Sequence, residues 1–555
     1  MSGERLIYLP LGGAGEVGMN AYVYGYGPKG RERLILVDLG VTFPDMDGTP
    51  GVDLILPDIS WLEARKDRLE AIFITHAHED HVGALGHLWR RLGAPVFTRD
   101  FTARIAQRKM AEAGQPADEV QIVGPAPEAV EAGPFAVQFL PVSHSLPEAS
   151  ALLIETPAGR VLHTGDFKLD LAPGVGEPFD EALYEGLGRQ GIDVMVCDST
   201  NIFSPHPGRS ESSLPSAITE LVRGAKGMVV ATTFASNVAR LRTLAQAGRA
   251  AGRSVCLLGR AMHNMTRIAS EAGLLHDFPS TITPEEAADL PRDQVMLLVT
   301  GSQGERRAAS AQLARGNYMG LSLKEGDLFL FSSMTIPGNE RGVLKVVNQL
   351  AERGVDVVDN TSGAYHVSGH ANRPDLERMH ELLRPRVVIP MHGEHRHLRE
   401  HARLAAARGI ATAIAPNGTM LALGEAPQVV EQIEAGRLYL DGTAIYGSQD
   451  GIMRERIRMA LNGQVLVTLI IDEEGAPLGD PWADCIGLAR EGRSRRPLNE
   501  VIEDELASDL ERMNARTLDD DDKLMDALKK RVRQCCFDEI GKKPEVKVVV
   551  SRLSE

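Results

Sequence analysis

Cysteine and long apolar runs are both scarce in this chain of 555 residues. No apolar stretch at the N-terminus resembles a signal peptide, and no apolar run approaches the roughly 18 residues that a membrane span needs. The cysteines are few, scattered and odd in number, which argues against a disulfide framework: Cys197, Cys256, Cys485, Cys535 and Cys536. We therefore expect a cytoplasmic protein with no membrane partner, and the length predicts about two to four domains.

Positive charge is also in deficit. The chain has 60 lysines and arginines against 76 aspartates and glutamates, for a formal net charge of −16. This balance argues against a protein that coats nucleic acid by bulk electrostatics. It does not exclude a nuclease, because a local basic groove and bound cations can still attract phosphate.

A glycine-rich motif at residues 13–18 fits the GxGxxG pattern of dinucleotide-binding proteins. The residues that follow, 20–25, predict a strand, whereas a dinucleotide fold needs a helix at that point. We therefore exclude a nicotinamide site and predict a hairpin turn, with the sheet continuing at residues 34–38.

The densest chemical signal is the segment 75–81, which holds three histidines and an aspartate in six consecutive positions. An apolar strand is predicted at 69–74 and an amphipathic helix at 82–91, so the segment forms a loop at the carboxyl end of a strand. His76 and His78 alternate along an extended turn, while Asp80 and His81 begin the helix. One short loop can thus offer ligands to two adjacent cations.

Further ligand candidates follow other predicted strands. His144 comes just after the strand-like run 136–140, Asp166 follows another apolar run, and His392 follows the run 387–391. Each of these signals is weak alone, because a single histidine is usually a surface or hydrogen-bonded core residue. Together, four strand-end sites predict a metal centre assembled from distant parts of the chain.

The HxHxDH motif with separate His, Asp and His motifs resembles the metallo-β-lactamase superfamily. The resemblance implies two β-sheets sandwiched between helices. It also implies that the first metal is held by His76, His78 and His144. The second metal would be held by Asp80, His81 and His392, with Asp166 bridging the two.

Strands and helices alternate between the Asp166 and His392 motifs. Strands are predicted at 227–234, 254–259, 294–301 and 327–333, with helices at 236–252 and 263–273, a pattern typical of a parallel sheet wrapped by helices. Such an insertion resembles the β-CASP nucleases, and within them the ribonuclease J family. The matching stretches are residues 12–18, 43–45, 76–81, 231–237, 300–305, 336–339, 368–370 and 391–394.

The predicted fold class is α/β: a metallo-β-lactamase αββα sandwich with an inserted β-CASP α/β domain and a small α+β C-terminal domain. The predicted boundaries are residues 1–205 and 365–448 for the two parts of the sandwich, 206–364 for the β-CASP domain, 449–464 for a linker and 465–555 for the C-terminal domain. A helix-and-sheet module of that size suggests oligomer formation or RNA guidance, and the resemblance implies a homodimer or homotetramer and partners in an RNA-degradation complex.

The predicted chemistry is phosphodiester hydrolysis at two divalent metals. A hydroxide bridging the metals would attack phosphorus, Asp80 would orient it or take its proton, and His370 would protonate the departing 3′ oxygen. The products would carry a 5′-phosphate and a 3′-hydroxyl. Mixed histidine and carboxylate ligands favour zinc, with manganese as the alternative.

A phosphate pocket is predicted from a hydroxyl, a close-approach glycine and two imidazoles in residues 366–370, together with a strand-to-helix junction at 234–237. Its residues are His366, Val367, Ser368, Gly369, His370, Phe234, Ala235, Ser236 and Asn237. A pocket for a terminal 5′-monophosphate predicts 5′ to 3′ exonuclease action on single-stranded RNA. The family resemblance implies a role in RNA maturation and mRNA decay. Internal cleavage is also expected where RNA threads past the pocket.

Several alternatives stay open. A small-molecule hydrolase would not need the insertion or the motif at 368–370. A β-CASP DNA nuclease is the nearer rival, although DNA-directed members usually lack a histidine at the position of His392. A non-catalytic RNA-binding subunit would be expected to lack metal ligands.

Asp45, Asp47 and Asp441 resemble a family calcium site, with an exposed acidic turn as the alternative. The remaining histidines that we expect to be structural are His163, His395, His397 and His401, the last three on a solvated helix.

Overall fold

The computed structural model describes residues 3–336, 338–424 and 426–553, so Pro337 of the stretch 336–339 lies outside the described residues. The chain divides into two compact units. The first unit comprises Met1–Thr42 and Leu56–Arg437, and the second comprises Phe43–Ile55 and Leu438–Glu555. Within the described ranges, no helix is long and apolar enough to cross a membrane.

The strands in chain order are β1 (Glu4–Gly12), β2 (Ala14–Gly15), β3 (Ala21–Pro28), β4 (Arg33–Val37), β5 (Leu54–Pro57), β6 (Leu69–Phe73), β7 (Val96–Thr98), β8 (Val120–Ile122), β9 (Ala129–Ala132), β10 (Phe135–Pro141), β11 (Ser150–Thr156), β12 (Gly159–His163), β13 (Val194–Asp198), β14 (Val229–Thr232), β15 (Ser254–Leu258), β16 (Thr281–Ile282), β17 (Val295–Val299), β18 (Asn317–Tyr318), β19 (Leu321–Ser322), β20 (Leu328–Phe331), β21 (Asp356–Val358), β22 (Val387–Met391), β23 (Gly393–Glu394), β24 (Ala411–Thr412), β25 (Thr419–Leu423), β26 (Gln428–Gln432), β27 (Arg437–Asp441), β28 (Ala444–Gly447), β29 (Gln464–Ile471), β30 (Trp482–Ile486) and β31 (Glu545–Arg552).

The α-helices are α1 (Ser60–Glu63), α2 (Glu79–Val82), α3 (Leu85–Leu92), α4 (Asp100–Glu112), α5 (Glu181–Gln190), α6 (Pro215–Gly224), α7 (Val238–Ala250), α8 (Arg260–Glu271), α9 (Pro284–Asp289), α10 (Ala309–Arg315), α11 (Glu340–Glu352), α12 (Arg373–Leu383), α13 (His395–Ala407), α14 (Ile452–Asn462), α15 (Leu498–Arg512), α16 (Ala515–Leu518) and α17 (Asp521–Ile540).

Two sheets form a sandwich in the first unit. One has the order β26-β25-β1-β3-β4-β6-β7-β8 and the other the order β24-β22-β13-β12-β11-β10-β9. Side chains from both sheets share one buried core, among them Tyr24, Phe73, Phe139 and Val196. A second core lies between the latter sheet and helices α5, α12 and α13. The strands are apolar on both faces because each face is covered.

A separate six-stranded sheet, with the order β16-β15-β17-β14-β20-β21, is entirely parallel and is formed by residues between β13 and β22. Buried apolar clusters cover both of its faces. Because β22 returns to pair with β13, this α/β region is an insertion into the sandwich, as the sequence predicts.

The glycine motif at 13–18 lies in the connection between β1 and β3, which pair in antiparallel fashion. No helix follows the motif at the point where a dinucleotide fold needs one. The motif therefore lacks the strand-turn-helix geometry of a dinucleotide-binding site.

The second unit contains the sheet β30-β29-β31, packed against α15 and α17. The structure adds detail at two predicted boundaries. The predicted linker at residues 449–464 contains the helix α14, which lies between two glycines of positive φ, Gly451 and Gly463. The division of the chain falls after Arg437 rather than at 448, and Phe43–Ile55 joins the second unit from far away in sequence.

Candidate functional site

The loop after β6 is held in place by Asp38, which follows β4. The Asp38 carboxylate accepts hydrogen bonds from the Thr75 backbone N–H (2.8 Å) and from the Thr75 hydroxyl (2.9 Å). Asp38 itself has a φ of 61°, a left-handed conformation that is uncommon for a residue with a side chain. The contact fixes the start of the segment that carries His76, His78, Asp80 and His81.

A first group of side chains comprises His76, His78, His144 and Asp166. The Nδ1 atom of His78 lies 3.2 Å from Nε2 of His76 and 3.1 Å from Nε2 of His144. Burial lowers the pKa of all three imidazoles, to about 4 for His78 and well below the usual range for the other two. Neutral rings direct lone pairs at the shared space, which is what a cation requires.

A second group comprises Asp80, His81, Asp166 and His392. Nε2 of His81 lies 3.2 Å from Oδ2 of Asp166, and Nε2 of His392 lies 3.2 Å from Oδ2 of Asp80. Burial opposes charge on these rings, but the neighbouring carboxylates outweigh it and raise the pKa of His392 to about 9. The pKa of His81 is raised in the same way, against burial, by Asp166, Asp80 and Asp38.

Each of the five histidines is anchored through its other ring nitrogen. Nδ1 of His81 donates to Asp38 (2.7 Å), and Nδ1 of His144 donates to the Gly369 carbonyl (2.6 Å). The remaining contacts are His76 Nδ1 to Thr75 Oγ1 (3.0 Å), His78 Nε2 to Ser145 Oγ (3.1 Å) and His392 Nδ1 to Thr200 Oγ1 (3.0 Å). Such outer contacts orient the ring and select the tautomer whose free nitrogen points inward.

Asp166 joins the two groups and gives a direct test of fit to metals. Its Oδ1 atom is buried without a hydrogen-bond partner, while Oδ2 lies 3.2 to 3.8 Å from ring nitrogens of both groups. Because a buried carboxylate oxygen is costly to leave unpaired, a cation is the partner that this arrangement suits. The residues present therefore fit two divalent ions with mixed nitrogen and oxygen ligands.

His370 lies at the edge of the two groups. Its Nδ1 donates to Oδ2 of Asp198 at 2.8 Å, and its Nε2 lies 3.9 Å from Oδ2 of Asp166. Burial would lower the pKa of this ring, but Asp198 and Asp166 outweigh it, so the pKa is raised. An imidazole that holds a proton beside the metal ligands has the properties of a general acid.

The turn that carries His370 is stabilised by a side chain from the loop after β13. Asn201 Nδ2 donates to the Ser368 hydroxyl oxygen at 2.8 Å, and the His370 backbone N–H donates to the same oxygen at 3.1 Å. Because Ser368 Oγ accepts twice, its own proton is free to donate to a ligand. Gly369 is needed for packing, since a Cβ there would lie 2.9 Å from His144 Cε1.

The remaining pocket residues lie at the carboxyl end of the inserted sheet. Phe234, Ala235 and Ser236 are half-buried between β14 and α7, and the Asn237 side chain caps α7 by accepting from the Arg240 backbone N–H at 2.9 Å. Val367 is 4% exposed and packs in an apolar core, so only its main chain is available to a ligand.

The predicted calcium residues do not converge in the second unit. Within the described ranges, Asp45, Asp47 and Asp441 form no group whose ligand atoms lie within 4.8 Å of one another. The Asp441 carboxylate pairs with Arg456, and an Asp45 oxygen accepts from the Asp47 backbone N–H at 2.8 Å. These contacts match the acidic-turn alternative, in which the carboxylates serve the local chain.

The four histidines predicted to be structural differ in burial. His163 is buried and its Nδ1 lies 2.9 Å from the Tyr24 hydroxyl, while His395 is exposed. The prediction of a solvated position was wrong for His397 and His401, which are 8% and 0% exposed. They are four residues apart on α13, so they share the face of the helix that packs inward.

Several residues that orient the site were not predicted, among them Asp38, Asp198, Thr200 and Asn201. Asp38 and Asp198 come at the carboxyl ends of β4 and β13, the same signal that identified Asp166 and His392. A systematic search for acidic residues at strand ends would have found both carboxylates. Nothing in the spacing of Thr200 and Asn201 distinguishes them from ordinary loop residues.

Family models match most of the chain. The model "Metallo-beta-lactamase superfamily" matches residues 14–218, and "Ribonuclease J, beta-CASP domain" matches residues 226–350. The model "Zn-dependent metallo-hydrolase RNA specificity domain" matches residues 363–416, and "Ribonuclease J C-terminal domain" matches residues 451–553. Their order along the chain is that of a sandwich with an insertion, followed by a C-terminal domain.

Relatives of similar length are also found. The chain is 38% identical over 552 residues to "Ribonuclease J" of Sinorhizobium meliloti, covering 99% of this chain and 98% of the relative. It is 38% identical to "Ribonuclease J" of Mycolicibacterium smegmatis over 89% of each chain. A crystal structure of an Enterococcus faecalis protein of unknown function aligns with a TM-score of 0.50 at 17% identity, covering 76% of this chain and all of that one, which supports the fold alone.

Proposed function

Because the chain belongs to the ribonuclease J family and is a metal-dependent ribonuclease, we propose that it removes nucleotides from the 5′-monophosphate end of single-stranded RNA. The observation that carries the proposal is the hydrogen bond from His144 Nδ1 to the Gly369 carbonyl. It ties a candidate metal ligand directly to the turn that bears Ser368 and His370. A bound 5′ end would therefore lie at a fixed distance from the metals.

The proposed ligands of the first metal are His76, His78 and His144. Those of the second are Asp80, His81 and His392, with Asp166 shared by both ions. When bound, two divalent cations supply a nucleophile from water at neutral pH and offset charge on the phosphoryl oxygens. We propose zinc, because imidazole nitrogens outnumber carboxylates, and manganese is the alternative to test.

Side chains of the protein then orient the attacking water and transfer protons. Asp80, held through Oδ2 by His392, is placed to orient the attacking water or take its proton. His370 donates its Nε2 proton to the departing 3′ oxygen, and Asp198 holds the ring by accepting from Nδ1. This leaves a 5′-phosphate on one product and a 3′-hydroxyl on the other.

The 5′-phosphate would be bound by neutral donors. Ser368 offers its hydroxyl proton, His366 a ring N–H and Gly369 a backbone N–H, while Phe234 is half-exposed and available to stack on a base. Ser236 and Asn237 precede α7, whose N-terminus favours negative charge. A pocket with room for one terminal phosphate sets the register for 5′ to 3′ action, and RNA that threads past it would be cut internally.

Digestion of end-labelled RNA tests the proposal. Substrates with 5′-monophosphate, 5′-triphosphate or 5′-hydroxyl ends, and matched DNA, are incubated with protein that has been stripped of metal and reloaded with zinc or manganese. We expect mononucleotides from the 5′-monophosphate RNA. Cleavage of DNA alone, or equal rates on all RNA ends, would contradict the proposal.

We also propose that the second unit supports a homodimer or homotetramer. One face of its sheet carries large exposed apolar side chains that its own helices leave uncovered: Ile470, Trp482, Ile486 and Val549. Exposed apolar patches often mark protein interfaces. A molecular mass measured in solution tests this, and a monomer at micromolar concentration would contradict it. Partners in an RNA-degradation complex remain a prediction.

A further inference from the structure

A cluster of buried charges lies in the first unit outside the two metal groups. Arg240 of α7 is fully buried, and Glu211, Lys168 and Asp170 are each 2–3% exposed. Arg240 Nη2 lies 2.8 Å from Glu211 Oε1, and Lys168 Nζ lies 2.9 Å from Asp170 Oδ2. Two cations and two anions balance one another, so the cluster adds little net charge to its surroundings. Burying four such groups is expensive, which suggests a purpose beyond stability.

The Arg240 guanidinium reaches the phosphate pocket with its third nitrogen. Nε and Nη2 donate to Glu211, while Nη1 lies 3.0 Å from His366 Nδ1 and 2.9 Å from the Ser332 carbonyl. A guanidinium has donors only and is always charged. His366 Nδ1 must therefore be the acceptor, which places the ring proton on Nε2. Among the described residues, no side chain or backbone group forms a hydrogen bond with Nε2, which leaves its N–H available to a ligand.

We propose that Arg240 is a positioning residue that locks His366 in the neutral tautomer with Nε2–H pointing out, as a donor for the 5′-phosphate. The inference rests on the proposed 5′-monophosphate pocket. Glu211 accepts hydrogen bonds from two nitrogens of the guanidinium, so it orients Arg240 and acts on His366 only through Arg240. The pocket then recognises phosphate by fixed N–H and O–H donors rather than by a titrating charge.

The electrostatics agree with this geometry. Burial, together with the charges of Arg240 and Lys168, lowers the pKa of His366 to about 3, and the Ser332 carbonyl acts in the opposite direction. These are the groups that face the ring from α7, the loop after β20 and the loop after β12. His366 therefore stays neutral across the physiological range, and its donor is present at every pH at which the enzyme works.

The test compares two charge-balanced double variants. Arg240→Gln with Glu211→Gln removes the guanidinium that contacts His366 together with the carboxylate that balances its charge. Arg242→Gln with Asp277→Asn removes an ion pair at the surface between Arg242 of the same helix and Asp277 of the loop after α8, and is the matched control. The Michaelis constant KM and the turnover number kcat are measured on 5′-monophosphate RNA from pH 5.5 to 8, with metal content and thermal midpoint recorded for each protein.

For the first variant we expect KM at pH 8 to rise by roughly tenfold, the cost of losing one oriented hydrogen bond to a charged group, with kcat within about twofold. Because burial, the largest cause of the low pKa of His366, persists in the variant, the rise in KM should be the same across the range from pH 5.5 to 8. The control should follow wild type throughout. A KM equal to that of wild type would overturn the inference and leave Arg240 with a purely structural role.

Two further measurements distinguish a positioning role of Arg240 from a purely structural one. Adding His366→Gln to the first double variant removes the ring that Arg240 positions, so KM should change by no more than about twofold further; a large further rise in KM would overturn the inference. If the double variant does not fold, Arg240→Lys serves instead, because one ammonium cannot satisfy both Glu211 and His366, and an unchanged KM would again overturn it. Equal KM of wild type for 5′-monophosphate and 5′-hydroxyl RNA would overturn the proposed pocket itself.

Discussion

Two parts of the first unit hold buried imidazoles in contact, and they differ in what surrounds them. In the proposed metal centre, five histidines converge with Asp80 and Asp166. At the second location, between α12 and α13, Nε2 of His380 lies 3.2 Å from Nε2 of His401, and both residues are at most 2% exposed. Among the described residues, no carboxylate forms a metal-binding group with these two rings. Burial lowers the pKa of His380 to about 4 and that of His401 well below its usual range.

The difference shows that a high density of histidine is not by itself a metal signal. Each ring of the metal centre is anchored through its second nitrogen, and carboxylates supply charge to offset a cation. The His380–His401 pair shares one proton between facing nitrogens, and His380 Nδ1 is buried without a partner. The pair is thus a neutral packing element that ties α12 to α13 and, through Ser199, to the loop after β13.

The largest effect should come from Asp166→Asn, compared with His380→Gln. The new amide would offer one weak oxygen in place of a shared carboxylate, so the protein should lose bound metal. Ribonuclease activity should fall by at least the roughly 10²–10⁴-fold that loss of one acid–base group costs. His380→Gln should keep full metal content and rate. Elemental analysis and turnover on 5′-monophosphate RNA provide the measurements, and equal metal content in both variants would contradict the assignment of Asp166.

Loss of the candidate general acid should separate chemistry from metal binding. His370→Asn is expected to retain both metals while turnover falls by about 10²–10⁴-fold. Asp198→Asn should cost less, because the ring keeps its place through packing and loses only its orienting carboxylate. Turnover under saturating RNA and metal content are measured together. A His370→Asn variant with wild-type turnover would remove this residue from the mechanism.

Asp38 tests whether anchoring distinguishes the metal centre from the histidine pair. It touches no metal in the proposed scheme but accepts from His81 Nδ1 at 2.7 Å. Asp38→Asn should weaken metal affinity by roughly 10–100-fold, as loss of such outer contacts does. Titration against a competing chelator measures this affinity. An unchanged affinity would show that burial alone orients the His81 ring.

Much of the fold follows from short-range pattern. The strand runs 69–74 and 387–391 were predicted nearly at their observed limits, because continuous apolar runs of that length form buried strands. The parallel order of the inserted sheet followed from alternation of strands and helices. The association of Phe43–Ile55 with the second unit could not be predicted, because it depends on tertiary contacts far apart in sequence.

The candidate ligands could be predicted because they are histidines and aspartates that follow predicted strands. The residues proposed as ligands lie together in the structure, but the contacts that orient them do not show in sequence spacing. Arg240 is one example, since an arginine in an amphipathic helix usually faces solvent. His397 and His401 are another, because the charged residues around them suggested a solvated helix, and only packing reveals which face of α13 turns inward.

The smallest effect concerns stability, and it tests whether the His380–His401 pair stays neutral in the folded protein. His380 has a pKa of about 4 in the folded protein against an ordinary value of 6.5. Between pH 6.5 and 4, His380 is protonated in the unfolded chain but stays neutral in the folded protein. The contribution of His380 to the free energy of unfolding is therefore fully present above pH 6.5 and is lost as the pH falls towards 4.

At pH 5.5 the loss should be about 1 kcal/mol from His380. Denaturant unfolding of wild type and His380→Gln at pH 7.5 and 5.5 measures it, since metal release at low pH affects both proteins and cancels in the difference. The variant should lose less stability on acidification, whereas His276→Gln, at an exposed position, should follow wild type. Equal acid sensitivity of all three would mean that His380 accepts its proton in the folded state. The pair would then be a charged site after all, and the contrast with the metal centre would fail.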